Sequence, residues 1–288
     1  MPVLSVDLAY RRWSDLGVVI LDRVRDRATK QPARIASSAA SPIIHCEIIT
    51  LADPGLDAEL DRAPANAEPA CASLSIDAEI LAGRLNHLCA VRDIRVLVLD
   101  GPQAWKSRAN GLEHARVSER QLNTAAKTGL PGLVKPLTYR SFAEFCMDVY
   151  DALCRRGWRR LDTQNRPAQP SESTFPPSRI LVESYPHAAW KSLGLKPLPS
   201  KRRARVSDLA EAYRALRSIV PFTTNRPPNH DQLQAIVGGL PGLALEENNP
   251  AALRIVGNPP QREEGHWREG FIVLPVPPRP AANLRWLN

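Results

Sequence analysis

The 288-residue sequence has no apolar run near the ~20 residues a membrane-crossing helix needs, which excludes a helical span and a membrane partner of that kind. Its first residues, MPVLSVDLAY, lack the basic region and long apolar segment of a secretory leader, so a cytoplasmic protein is expected. Five cysteines, Cys46, Cys71, Cys89, Cys146 and Cys154, are odd in number and form no C-x-x-C pair. That excludes a CxxC-type zinc or redox centre and leaves reduced, buried thiols as the expectation. Also absent are the G-x-x-x-x-G-K-[ST] phosphate loop, the G-x-G-x-x-G dinucleotide turn and the G-x-S-x-G serine elbow. Serine hydrolase, dinucleotide and P-loop chemistries therefore have no foothold.

What is present is an excess of positive charge, 38 Lys and Arg against 30 Asp and Glu, a net +8 that suits an anionic partner such as nucleic acid. The first 50 residues alternate in strand fashion through PVLSVDLAY, GVVILDRV and SPIIHCEIIT, which predicts an antiparallel meander. His45, in the third of these, reads as a core residue. A helix over 75–91, with Ile80, Leu81, Leu85 and Leu88 turned inward, then leads to the buried strand IRVLVLD. A helix over 113–126 would place Arg116, Glu119, Arg120 and Asn123 on one face. Ser141 and Glu144 form a capping box for a helix carrying Phe142, Phe145, Val149 and Leu153. The strand RILVE precedes a short helix over 186–193, a helix over 207–220 and a helix over 229–240 stopped by Pro241. ALRIVGNPP and EGFIVLP suggest a closing strand pair. The organisation expected is one domain over 1–275, with loop insertions at about 52–74 and 157–178, and a Pro-rich tail over 276–288.

Three predicted strands end in an acid: VLSVD in Asp7, RVLVLD in Asp100 and RILVE in Glu183. If the strands lie side by side, the carboxylates meet at one sheet edge, where open α/β folds bind ligands. Like charges so placed are costly unless a cation neutralises them, which points to a hard divalent ion, Mg²⁺ or Mn²⁺. Two such ions can activate water and stabilise the leaving oxygen of a phosphodiester. Each acid also has an ordinary structural use: Asp100 in a turn before Gly101 and Pro102, Glu183 at a helix start, Asp7 beside Arg11 and Arg12. Asp231 falls in the first turn of its helix, where an acid complements the helix dipole. It shares a face of small residues, including Gly238, that is able to approach the sheet closely.

With these residues the chain resembles the family called domain of unknown function 429, described as predicted nucleases of the RNase H-like fold. The segments that carry the resemblance are VDLAYRRWSDLGVVIL, VLVLDGPQAW, RVSERQL, VESYPHAAWKSLG, HDQLQAIVGGL and VGNPPQREEGHWREGFIVLP, in that order over some 270 residues. The resemblance implies an RNase H-like α/β fold. Its mixed five-stranded sheet joins an antiparallel meander to parallel strands, with helices on both faces. It implies Asp7, Asp100, Glu183 and Asp231 as catalytic metal ligands. Gln234 stands where RNase H-like resolvases often carry a second helix Asp, and an amide is a poorer Mg²⁺ ligand.

Candidate substrate contacts are Arg116 and Arg120 on the Arg-rich helix, and His187 and Lys191 just after the Glu183 strand. Two further basic groups suit phosphates: Arg155, Arg156, Arg159 and Arg160 around Trp158, and Lys201, Arg202, Arg203 and Arg205. The leading expectation is a metal-dependent nuclease acting on DNA or RNA. Its rivals are a catalytically inactive nucleic-acid or protein-binding module and a phosphotransferase of the actin-like sugar-kinase type.

Overall fold

The computed structural model describes residues 1–23, 43–51, 76–163 and 179–277. The expected insertion at 52–74, most of that at 157–178 and nearly all of the tail lie outside the described residues, as does Cys71. The strands are β1 (Val3–Asp7), β2 (Gly17–Arg23), β3 (Ile44–Ile49), β4 (Val96–Asp100), β5 (Lys127–Thr128), β6 (Val134–Lys135), β7 (Arg159–Arg160), β8 (Ile180–Ser184), β9 (Phe222–Thr224), β10 (Leu253–Val256), β11 (Gln261–Glu263), β12 (His266–Arg268) and β13 (Ile272–Pro275). The helices are α1 (Ala78–Val91), α2 (Val117–Leu122), α3 (Arg140–Arg155), α4 (Pro186–Ser192), α5 (Val206–Ile219) and α6 (His230–Glu246).

The protein is a mixed α/β structure. β1, β2 and β3 form the antiparallel meander, and β4 and β8 continue the sheet from β1 in parallel. The order through this centre is β3-β2-β1-β4-β8, and the sheet extends beyond the five expected strands, with β9 outside β3 and β13 and β10 outside β8. β7 and β13 share one edge of β8, β7 along Ile180 and Leu181 and β13 along Glu183 and Ser184. β10 and β13 are the closing antiparallel pair.

Apolar side chains alternate to the two faces, as the pleat requires. Val3, Val19, Val96, Val98 and Val182 pack with α4 and α6 on one side. Leu4, Val6, Leu97, Leu99 and Leu181 pack with α1 and α3 on the other. α6 lies very close to the sheet because its face is small: a Cβ on Gly239 would sit 2.7 Å from Ser5 Cβ and Leu21 Cδ1. At its N-terminal end the approach is closer still, since a Cβ on Gly17 of β2 would fall 2.2 Å from the Asp231 carbonyl oxygen.

Several local expectations are corrected. α6 does not stop at Pro241 but runs through it to Glu246. A helix-interior proline costs about 3 kcal/mol, yet every α6 residue from Asp231 to Leu245 except Gln234 is buried, and that packing outweighs the loss. Ile80 is 53% exposed, so the inner face of α1 is Leu81, Ala82, Leu85, Leu88 and Cys89. Ser141 caps nothing, because a 3-10 turn over Leu137–Tyr139 feeds directly into α3 and Glu144 pairs instead with Arg140 at 2.8 Å. The helix expected over 113–126 shrinks to the six residues of α2, ended by Asn123 in the left-handed conformation. His45 is exposed on β3 rather than in the core, with Nδ1 3.2 Å from Thr223 Oγ1. Cys46, Cys89 and Cys146 are buried free thiols, and burial pushes Cys46 and Cys89 up to about 12.

Candidate functional site

Asp7 and Asp100 are register partners at the C-terminal ends of the parallel strands β1 and β4. The β8 partner of Asp100 is Ser184, while Glu183 pairs with Leu99. Lateral neighbours in a sheet project to the same side, so Asp7, Asp100 and Ser184 face α6 and Glu183 faces the opposite way. Asp231, at the start of α6, comes down onto the first group. It is positioned by a capping box in which Asn229 Oδ1 accepts from the Gln232 N–H at 3.0 Å and Gln232 Oε1 accepts from the Asn229 N–H at 2.9 Å.

The electrostatics follow from this placement. Asp7 is held well above the usual carboxylate range by burial, then by the charges of Asp100 and Asp231 and a hydrogen bond with Asp100. Burial also pushes Asp100 up to about 7, with the charge of Glu183 adding to it and the Asp7 hydrogen bond opposing. Two neighbouring carboxyls raised together are a pair that resists double ionisation.

Glu183 and Asp231 are not open in this way. The buried Arg116 donates to both oxygens of Glu183, Nη1 to Oε2 at 2.7 Å and Nη2 to Oε1 at 2.6 Å, and the Gln103 N–H adds a third bond at 3.0 Å. Burial alone would depress the Arg116 guanidinium, but the charges of Glu183 and Glu119 more than offset it. Arg116 is thus an internal partner of Glu183 rather than a surface phosphate contact. Asp231 is 5% exposed and carries Lys201 Nζ on Oδ2 and His230 Nδ1 at 3.1 Å from Oδ1. Lys201 also donates to Asp15 Oδ1 at 2.8 Å. Gln234 looks elsewhere, accepting from Trp190 Nε1 at 2.8 Å.

Among the described residues, no group of three or more His, Cys, Asp and Glu side chains is arranged to hold a metal ion. Asp7 and Asp100, carboxyl-bearing register partners on adjacent strand ends, are the residues that would hold one hard cation. The site does not fit a second ion, for which Glu183 or Asp231 would first have to release its own cation, Arg116 or Lys201.

A small depression beside the pair is lined by Asp100, Arg116, Glu119, Tyr139, Glu183 and Tyr185. Arg120, His187 and Lys191 are exposed and do not line it, although the His187 ring lies 5.9 Å from that of Tyr185. The first basic group disperses: Arg155 and Arg156 both pair with Glu79, Arg160 is buried against Asp151, and Trp158 is a core residue donating to Asn86. In the second group Arg202, Arg203 and Arg205 are exposed. The roles of Arg116 toward Glu183 and of Lys201 toward Asp231 carry no local signal, being 67 and 30 residues apart. The Arg116–Glu119 spacing alone was informative.

No family model matches the chain, and no curated protein matches it. Among solved structures, the chain is similar to a RuvC structure from Thermus thermophilus, which covers 87% of this chain and 95% of its own at 11% identity, with a TM-score of 0.33. A likeness of this size transfers no residue role. No helix among the described residues is long and apolar enough to cross a membrane.

Proposed function

We propose that this protein is a divalent-metal-dependent nuclease, hydrolysing phosphodiester bonds of DNA or RNA, with Asp7 and Asp100 as the ligands of a Mg²⁺ or Mn²⁺ ion. The observation that carries the reading is the Asp7–Asp100 pair: two carboxyls in register on adjacent strand ends, each raised by burial and by acidic neighbours. The RNase H-like reading of the sheet, a meander joined to parallel strands with helices on both faces, supports it, as does the resemblance to the predicted nucleases of domain 429. When bound, the ion supplies a Lewis acid that activates water and stabilises the leaving oxygen.

The chain's own residues have distinct tasks in this reading. Asp7 and Asp100 hold the ion, and Asp231 adds negative charge to their side of the sheet. Glu183 acts through Arg116, a fixed internal cation that lines the depression beside Asp100. Exposed Arg11 and Arg12 after β1, Arg202 and Arg203 before α5, and Arg120, His187 and Lys191 serve as phosphate contacts around the site.

A second reading, a catalytically inactive nucleic-acid-binding module, is favoured by one specific observation: Arg116 and Lys201 already neutralise two of the four acids. The two readings separate in one experiment, incubation with single-stranded, duplex and branched DNA and RNA in Mg²⁺, Mn²⁺ or chelator. The nuclease reading expects metal-stimulated cleavage that Asp100→Asn abolishes while the far-UV spectrum is unchanged. Salt-sensitive binding without cleavage of any substrate would overturn it in favour of the module.

A further inference from the structure

Lys201, in the loop between α4 and α5, reaches Asp231 at one end of the acid cluster. Its ammonium is bonded to Asp231 Oδ2 and, at 2.8 Å, to Asp15 Oδ1, so it joins the start of α6 to the turn that precedes β2. Asp231 stands beside Asp7, since a Cβ on Gly17 would fall 2.2 Å from the Asp231 carbonyl oxygen and Gly17 is the register partner of Asp7, so the ammonium lies on the side of the sheet that Asp7 and Asp100 face. The Asp231 side chain is 8% exposed and that of Lys201 is 50% exposed, so a surface cation covers a buried anion. The remaining acid is equally committed, since both Glu183 oxygens are taken by Arg116.

A second divalent ion about 4 Å from the first requires carboxylate oxygens beyond those of Asp7 and Asp100. Both other acids in reach are bonded to cations of the chain itself. An ammonium is a compact point charge, able to stand where a small metal ion would. We infer that Lys201 occupies the place of the second cation, so that the cluster takes one divalent ion at Asp7 and Asp100 and the tethered ammonium balances Asp231 and Asp15. This inference rests on the metal-dependent reading given above. It also identifies what holds the position beside Asp231 closed: a single half-exposed side chain, whose removal leaves the buried carboxylate with the His230 ring but no ammonium. A buried carboxylate that loses its cation is strongly disfavoured, and in this inference a second divalent ion replaces the lost ammonium.

The full chain is titrated with Mn²⁺ as the probe, reading bound ions per chain by calorimetry and by the paramagnetic resonance of free Mn²⁺. The wild type takes one ion. Lys201→Met, which keeps the aliphatic stem and removes the charge, takes two, and Lys201→Arg takes one. Circular dichroism checks the fold of each variant; should Lys201→Met not fold, Lys201→Gln at the same half-exposed position is read in the same way. Two ions on the wild type, or one ion on a folded Lys201→Met or Lys201→Gln, overturn the inference while leaving the nuclease reading intact. No ion on the wild type, together with the absence of metal-stimulated cleavage, overturns both.

Discussion

Arg116 holds Glu183 by both carboxylate oxygens, at 2.7 and 2.6 Å, with the two side chains at 1% and 4% exposure. Removing one partner of such a pair strands the other charge in the interior. Arg116→Met is expected to lower stability by about 3–5 kcal/mol, measured by urea unfolding. The double variant Arg116→Met with Glu183→Leu is expected to recover a large part of that loss, because an apolar pair carries no desolvation cost. A single variant as stable as wild type would remove Glu183 from its structural role.

The raised carboxyl of Asp100 gives stability a pH dependence of definite sign. Its folded value of about 7 lies above that of the unfolded chain, so the folded state binds the extra proton between the two. Stability from this group is full below about pH 4 and falls as pH rises toward 7, when no divalent ion is present. Melting temperatures in chelator are expected to decline across that window, and the slope is expected to flatten in Asp100→Asn. Mg²⁺ is expected to raise the melting temperature more at pH 7.5 than at pH 5.5. A wild-type slope in chelator identical to that of Asp100→Asn would count against the pair.

Gly17 faces the Asp231 backbone with no room for a side chain: a Cβ there would lie 2.2 Å from the carbonyl oxygen and 2.9 Å from the Gln232 nitrogen. Gly17→Ala must therefore push the start of α6 off β2. The expected cost is about 1–3 kcal/mol in denaturant unfolding, with a several-fold weaker Mn²⁺ affinity, since Asp231 moves away from Asp7 and Asp100. Unchanged stability would show that the approach is looser than 2.2 Å implies.

Gln234 is tied to Trp190 at 2.8 Å and turns from the acids. Gln234→Ala is expected to cost about 1 kcal/mol of stability through the unpaired indole N–H, with metal-stimulated cleavage at the wild-type rate. A large loss of cleavage without loss of stability would return Gln234 to the site.

Much of the architecture was legible locally. The alternation in β1 to β3, the apolar run of β4 and the stripe of α3 are properties of a few consecutive residues, and burial follows them. The strand-end acids Asp7 and Asp100 were readable in the same way, because an acid closing an apolar strand stands out. Proline at 241 and serine at 141 misled for a common reason: their local preferences are worth a few kcal/mol at most, and the burial of α6 and the lead-in turn to α3 overrode them.

The sequence by itself determined which residues are strand or core, and that three strands end in acids. Which acids meet was decided only by the tertiary structure. A pleat alternates every residue, so the register of β4 against β8 turned Ser184 toward Asp100 and Glu183 to the other face. Likewise the cations that satisfy Glu183 and Asp231, Arg116 and Lys201, arrive from distant loops and helix starts. Charge pairing of that kind depends on distance through space, which no local pattern of residues encodes.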